Sequence, residues 1–160
     1  MDKKAALLLT GTAVVAAQII GGLRGPTPDQ PATAAWYARL EKPTFTPPGP
    51  VFGVAWTFLD GLLGYAGYRL LTRPASRART AALGLWGLNV LSVAGYSWVM
   101  FGRKRLDEAT GVTAGMLASS VGAVAAASQV DERAAWASVP LAAWVSFACL
   151  LQEEIWRRNA

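Results

Sequence analysis

The 160-residue chain contains no histidine and only one cysteine, Cys149. The absence of histidine removes the commonest metal ligand and the commonest proton shuttle near neutral pH. A single cysteine forms no disulfide within the chain. The sequence also offers no paired acid and base, no metal-ligand cluster and no nucleophile beside a base. We therefore expect no metal and no obligatory cofactor, and catalysis is not the first expectation.

Charged residues are scarce as well. They make up 16% of the chain, against about 25% in a typical soluble domain, and 53% of the residues are hydrophobic. Five long apolar stretches with few charges lie at residues 5–23, 51–71, 80–101, 109–130 and 134–155, and the second contains one acid, Asp60. Each is close to the roughly 20 residues that a helix needs to cross the hydrocarbon core. No stretch shows the alternation of a strand, so the sequence predicts an all-α integral membrane protein with five transmembrane helices.

The net charge of +5 comes from basic residues at the ends of these stretches. That placement suits anionic lipid headgroups, and no basic face or fold signature favours nucleic acid as a partner. With five spans, seven basic residues fall on one side and eight on the other, so the positive-inside rule assigns no orientation. The first run is long for a signal peptide and lacks a clear cleavage site. We expect it to be a retained span of a single domain covering residues 1–160.

The first loop, residues 24–50, is unusual because it holds seven of the nine prolines. Proline fixes φ and biases the preceding residue towards extended backbone, so this loop is stiffened. Long loops in compact proteins often serve as lids or binding elements. Within it, residues 35–40 (Ala-Trp-Tyr-Ala-Arg-Leu) are typical of a short interfacial helix.

A motif runs through this loop into the second span. It reads Trp36-Tyr37-x-x-Leu40-x-Lys42-Pro43-x-Phe45-x-Pro47-Pro48, followed by Phe52-x-x-x-Trp56. Later matches are Gly64, Tyr68, Phe101-Gly102, Pro140-x-x-x-Trp144-x-x-Phe147 and Ile155-Trp156-Arg157-x-Asn159. Together they resemble the signature of the TspO/translocator protein family, which includes tryptophan-rich sensory proteins and the peripheral benzodiazepine receptor. The resemblance implies five antiparallel helices around an internal cavity. It also implies a homodimer and a lid formed by the first loop, with Leu40, Lys42, Pro43, Pro47 and Pro48 as the lid motif.

The same resemblance implies a function. Family members are implicated in binding tetrapyrroles, sterols and synthetic aromatic ligands, so we expect a membrane receptor or sensor for planar hydrophobic ligands in an aromatic cavity. Protoporphyrin IX and haem are the candidate ligands, and metal-free tetrapyrroles fit better because no histidine is available to ligate iron. The pattern is that of a diverged bacterial-type member, which predicts a place in the cell envelope. Two alternatives stay open: a light-dependent porphyrin-degrading enzyme, and a transporter of tetrapyrroles or other small hydrophobic molecules.

Aromatic residues inside the spans are the candidate site. Trp56 and Trp144 lie well inside their spans, where a large flat ring faces either lipid or a cavity. The resemblance places both beside the cavity, with Trp36 closing it from the lid. The predicted ligand-binding residues are Trp36, Tyr37, Phe52, Trp56, Asp60, Tyr96, Trp144, Phe147 and Ala148. The other tryptophans near span ends, such as Trp136 and Trp156, are typical of interfacial anchors.

Two polar residues within spans have alternative interpretations. Asp60 lies near the midplane of the second span, where a carboxylate is costly, so it should face the interior. It is either a protonated acid bonded to a neighbour or a polar anchor for the ligand, and the family usually has Tyr there. Asn89 either forms an interhelical hydrogen bond or replaces the Asn that the family carries where this chain has Val93. Small residues four apart in the fourth span favour close packing, within the bundle or between protomers.

Overall fold

The computed structural model describes all 160 residues, and its regular structure is entirely helical. Its α-helices are α1 (Lys3–Gly22), α2 (Pro31–Arg39), α3 (Gly49–Leu71), α4 (Arg77–Ser97), α5 (Leu106–Ser128) and α6 (Glu132–Asn159). A π-helical turn, Trp98–Gly102, continues α4. The five long helices coincide with the five predicted spans, apart from shifts of a few residues at their ends. The short α2 confirms the helix expected in the first loop.

Local sequence explains where the helices begin. The side chain of Asp2 accepts hydrogen bonds from two backbone N–H groups of the first turn of α1, and Asp131 caps α6 through the N–H of Ala134 at 2.9 Å. Such caps satisfy N–H groups that have no partner inside the helix. The helices α2 and α3 instead begin with proline in the first turn, where its fixed φ is favourable and its missing N–H costs nothing. The prolines of the first loop therefore start helices as well as stiffen the chain.

The long helices form a closed ring in the order α1, α3, α6, α5, α4, in which each packs against its two neighbours. Because successive spans run in opposite directions, the first loop, the turn after α4 and the end of α6 share one end of the bundle, here named the lid end. The core is aliphatic and draws residues from all five helices. It includes Val14, Leu59, Leu63, Val90, Val93, Met116, Leu141 and Val145.

The outer surface of the ring is apolar. Large side chains such as Leu8, Val54, Phe58, Leu91 and Leu150 are between 61% and 74% exposed, an arrangement that suits lipid and not water. Four helical segments are long and apolar enough to cross a bilayer: Lys3–Gly22, Arg77–Gly102, Leu106–Ser128 and Glu132–Asn159. The protein is thus an all-α, multi-pass integral membrane protein, as predicted.

The helix α3 accounts for the difference between these four segments and the predicted five. It has 23 residues, enough to span, but it is not among the segments that are apolar enough. Its glycines, its tyrosines and Asp60 lower its mean hydropathy. The sequence predicted five membrane spans, whereas four helical segments of the structure are both long and apolar enough to be spans. The helix still belongs to the ring, because it packs between α1 and α6.

Two close contacts fix α4 against its neighbours. The indole N–H of Trp86 donates to the carbonyl of Leu63 at 2.8 Å, and its ring lies so near Gly67 that a Cβ there would be 2.6 Å from it. On the other side, the Oδ1 of Asn89 accepts hydrogen bonds from Ser119 at 3.0 Å and Ser120 at 2.8 Å. Of the two interpretations of Asn89, the structure thus shows the interhelical hydrogen bond.

The small residues of α5 divide between two environments. A Cβ at Gly122 would meet Leu85 of α4 at 3.3 Å, which is packing within the bundle. By contrast, a Cβ at Gly111 or Gly115 would have open space within 4 Å, and both glycines face outwards. The homodimer expected from the family resemblance stays a prediction.

Candidate functional site

The first loop folds over the lid end through local contacts. The Nζ of Lys42 donates to the carbonyl of Leu40 at 3.1 Å and lies 4.6 Å from the centre of the Tyr37 ring. Pro43 is buried, and its carbonyl accepts from the Thr46 hydroxyl at 2.7 Å. Burial raises the pKa of Tyr37 and lowers that of Lys42, because both lose part of the hydration that stabilises their charged forms. The lid motif is therefore an ordered turn that contacts the bundle.

A pair of hydrogen bonds ties this loop to the end of α6. The backbone N–H of Glu41 donates to the Oδ1 of Asn159 at 3.0 Å, and the Nδ2 of Asn159 donates to the carbonyl of Glu41 at 2.9 Å. The loop is thus attached to the bundle at a point directly after α2. Asn159 belonged to the family signature, but nothing in its sequence position indicated this partner.

Four rings form what we call the aromatic cluster: Phe45 of the lid, Phe52 at the start of α3, and Trp144 and Phe147 of α6. Phe52 meets Trp144 edge-on with centroids 5.8 Å apart, Trp144 lies 5.6 Å from Phe147, and Phe45 meets Phe147 at 6.3 Å. Three of these residues were predicted as ligand-binding, and the structure brings them together. Phe45 stood in the motif but was not predicted to reach the site.

A second group of rings lies beside α2. The Phe101 ring, set by the π-helical turn, contacts Tyr37 at 5.6 Å and Tyr96 at 6.2 Å, both edge-on. The Tyr96 hydroxyl donates to the Oε1 of Gln152 at 2.8 Å. Gln152 is only 2% exposed and was not predicted as a site residue. The only feature of the sequence that could have indicated Gln152 is the position of a polar glutamine within an apolar span.

The remaining predicted residues lie around these groups. Trp36 joins neither, and its ring lies 5.7 Å from the Nζ of Lys104. Trp56 packs on the aliphatic core, and Ala148 is half-buried one turn from Trp144. The structure contains no cluster of three or more His, Cys, Asp or Glu side chains able to hold a metal. The arrangement offers flat apolar surfaces with a few polar atoms, which suits binding of a planar molecule.

Comparison with known proteins identifies the family of the chain. The sequence profile of the TspO/MBR family matches residues 12–157. The chain belongs to the TspO/MBR family. It is 28% identical over 129 residues to the tryptophan-rich protein TspO of Bacillus cereus, covering 81% of this chain and 84% of that protein. It is 32% identical over 124 residues to the tryptophan-rich sensory protein of Cereibacter sphaeroides (78% and 77% covered), and 29% identical over 127 residues to the human translocator protein (78% and 75%).

Within this TspO/MBR bundle, Asp60 is the one acid in the middle of a long helix. Gln18 of α1 lies beside it and was not singled out from the sequence. The Oδ1 of Asp60 and the Nε2 of Gln18 are both buried, and both have no hydrogen-bond partner. Unpartnered buried polar atoms are rare and costly. Asp60 lies four residues beyond Trp56 and eight beyond Phe52 on the same face of α3, so this polar pair lies deeper in the bundle than the aromatic cluster.

Proposed function

We propose that the protein is a TspO-type membrane receptor or sensor that binds porphyrin-like planar hydrophobic ligands between the lid and the helical bundle. The observation that carries the proposal is the aromatic cluster, in which Phe45 of the lid packs on Phe147 beside Phe52 and Trp144. A lid that contributes a ring to the site is displaced when a larger ring system enters. Lid movement and ligand entry are then the same event.

The chemistry of the cluster favours this ligand class. An inserted flat ring would stack on Phe52 and Trp144 in place of their present edge-on contact, and each aromatic stacking contact is worth about 0.5–1.5 kcal/mol beyond burial. Phe45 is 50% exposed, so its contact with Phe147 is the least buried of the cluster and the easiest to open. The loop stays attached through Glu41 and Asn159 while Phe45 moves. This combination suits a lid that opens at one edge.

Protoporphyrin IX titrated into the detergent-solubilised protein tests the proposal through tryptophan fluorescence. We expect saturable quenching, because energy transfer to a bound porphyrin is efficient at contact distance. Trp144→Phe should remove a large share of the quenched signal. Trp136→Phe is the matched control: Trp136 is on the same helix but 67% exposed near its start, and it should remove little.

A second variant tests the site without removing any of the fluorescent tryptophans. Phe147→Ala removes the ring that joins the lid to Trp144, and it should weaken binding by about 2–12-fold, the equivalent of about 0.5–1.5 kcal/mol. Quenching that never saturates would contradict the proposal. So would equal losses of signal in the Trp144 and Trp136 variants.

A further inference from the structure

A small cavity lies between α3, α4, α5 and α6, in the half of the bundle away from the lid end. Its volume is about 10 Å³, close to the least that holds one water molecule. Its apolar walls are formed by three leucines and two alanines: Leu63, Leu70, Ala82, Ala123 and Leu141. No residue of the aromatic cluster lines it. The cavity is therefore a separate site, and it is too small for a planar ligand.

Three polar side chains from three different helices also line this cavity. Asn89 belongs to α4, Ser120 to α5 and Ser138 to α6. Each lies within a helical segment that is long and apolar enough to cross a bilayer. Hydrocarbon offers no hydrogen bonds, so polar groups in such segments depend on partners inside the protein. The hydrogen-bonding capacity of these three side chains must be met within the bundle.

The side-chain amide of Asn89 has one donor that the protein does not use. Its Oδ1 accepts from the hydroxyl groups of Ser119 and Ser120, and its Nδ2 donates to the carbonyl of Leu85 at 3.0 Å. An amide nitrogen carries two hydrogens, and this bond uses only one of them. Asn89 is 1% exposed, so solvent outside the bundle does not reach the second. A buried donor without a partner is strongly unfavourable.

The two serines of the cavity have the complementary capacity. Ser120 directs its hydroxyl towards Asn89 at 2.8 Å, and Ser138 donates to a carbonyl of its own helix at 2.9 Å. A hydroxyl has one hydrogen and two lone pairs, so both oxygens can still accept. The other donor of the lining, the indole N–H of Trp86, is bonded to a carbonyl of α3 at 2.8 Å. The cavity thus offers one free donor and two free acceptors.

We propose that the cavity binds a single water molecule that bridges α4, α5 and α6. The water accepts the second N–H of Asn89 and donates its two hydrogens to the oxygens of Ser120 and Ser138. It then makes three hydrogen bonds, the usual number for a buried water, and no donor of the lining remains without a partner. Three spans are joined at a depth where lipid supplies no hydrogen bonds. This proposal is independent of the proposed function.

The two asparagines of the chain allow a direct test. Isotopic labelling of asparagine nitrogen gives side-chain amide signals from Asn89 and Asn159 alone, in protein produced in H2O with deuterated carbon positions and solubilised in detergent. Nuclear Overhauser transfer from water is measured at each amide. At Asn89 we expect transfer of opposite sign in the laboratory and rotating frames, the pattern of a water molecule that tumbles with the protein. Asn159 at the lid end is the reference for surface hydration.

Filling the cavity tests the origin of that signal. Ala123 and Ala82 line it from α5 and α4, so the two added methyl groups in Ala123→Val or in Ala82→Val should displace the water and abolish the transfer to Asn89. Ala125→Val is the matched control, because Ala125 is on the same helix as Ala123 but is exposed on the outer surface. It should leave the transfer unchanged. Unaltered Asn159 signals report that each variant is folded.

Transfer that survives both filling changes would come from the exchanging hydroxyl hydrogens of Ser119 and Ser120, and it would overturn the proposal. So would a signal lost equally in Ala125→Val, or its absence at Asn89 in the unaltered protein. A crystal structure that resolves ordered solvent requires no variant. It should show a water within hydrogen-bonding distance of all three polar side chains, and a cavity without such density would reject the bridge.

Discussion

Asn159 at the end of α6 and Glu41 after α2 are joined by two hydrogen bonds although they are 118 residues apart in sequence. The side-chain amide of Asn159 accepts from the N–H of Glu41 and donates to its carbonyl, as the backbone of an adjacent strand would. Asn159 also donates to the carbonyl of Ile155 at 2.7 Å, which fixes the orientation of its amide. The last turn of the last helix therefore controls the position of the first loop.

Replacing Asn159 tests this control. In Asn159→Ala both hydrogen bonds to Glu41 are lost, and we expect hydrogen exchange in residues 31–41 to accelerate about 5–30-fold, the equivalent of about 1–2 kcal/mol of local opening. Exchange in α5 should not change. Arg157→Ala is the control, because Arg157 is exposed and pairs only with Glu154. Unchanged exchange in residues 31–41 of Asn159→Ala would show that the lid is held elsewhere.

The close approach of Trp86 to Gly67 predicts a sharp difference between two glycines of α3. In Gly67→Ala the new methyl group would lie 2.6 Å from the indole ring, so Trp86 must move and its hydrogen bond to Leu63 is strained. We expect a loss of about 1–3 kcal/mol in the free energy of unfolding, typical of overpacking. Gly64→Ala has open space and should be neutral or slightly stabilising. Thermal unfolding in detergent measures both, and equal midpoints for the two variants would contradict the assignment.

At the end opposite the lid, Asp131 is the centre of an ion-pair group. Its side chain is 1% exposed and accepts from the Nη2 of Arg69 at 2.7 Å, and it also pairs with Arg73. Asp131→Asn keeps the cap of α6, since asparagine is an equally good cap, but leaves two arginines without a counter-charge. We expect a loss of about 1–3 kcal/mol, between the values for surface and buried pairs. Asp107→Asn removes a carboxylate from an exposed pair and should cost clearly less in the same unfolding assay.

The same carboxylate predicts a pH dependence. Burial by itself would raise the pKa of Asp131, but hydrogen bonds from Arg69, from the N–H of Ala134 and from Arg73 outweigh it and lower this pKa from 3.8 to about 2. The folded protein then binds this proton less readily than the unfolded chain, so the stabilisation is complete above pH 3.8 and disappears as the pH falls to about 2.

Unfolding of the unaltered protein and of Asp131→Asn, measured from pH 6 to pH 2, isolates this contribution. The stability difference between them should be constant above pH 4 and should shrink steadily below it. A difference that already declines near neutral pH would mean that another group is responsible.

Much of the fold was visible in the sequence because lipid imposes a simple rule on length and polarity. The long apolar runs with few charges marked all five long helices, and the tryptophan- and proline-bearing motif marked the lid. The cluster of Phe52, Trp144 and Phe147 followed from positions on helix faces and from the family resemblance. Hydropathy was least informative for α3, whose apolar content is reduced by Asp60 and by exposed residues such as Gly61 and Tyr65.

The contacts that were missed are those between distant parts of the chain. Spacing along a helix shows which residues share a face, but it does not show what packs against that face. Gln18 gave no signal until the structure placed it beside Asp60. Asp131 was not singled out either, because Arg69 and Arg73 meet it across 62 and 58 residues. Phe45 was hidden for the same reason, since loop geometry decides where its ring points.

The π-helical turn Trp98–Gly102 has a consequence for how this protein can vary. Tyr96 and Phe101 are five residues apart, and in a regular α-helix that interval would turn their side chains about 140° away from each other. Here the wider turn, closed by the hydrogen bond from the N–H of Arg103 to the carbonyl of Trp98 at 2.9 Å, lets the two rings meet. Deleting one residue between them would shorten the interval to four, which a regular α-helix turns by only about 40°, so Phe101 would stay on the face of Tyr96. The wide turn therefore accommodates one extra residue without separating the two rings, and relatives that lack this residue should have a regular helix here and keep the same aromatic contact.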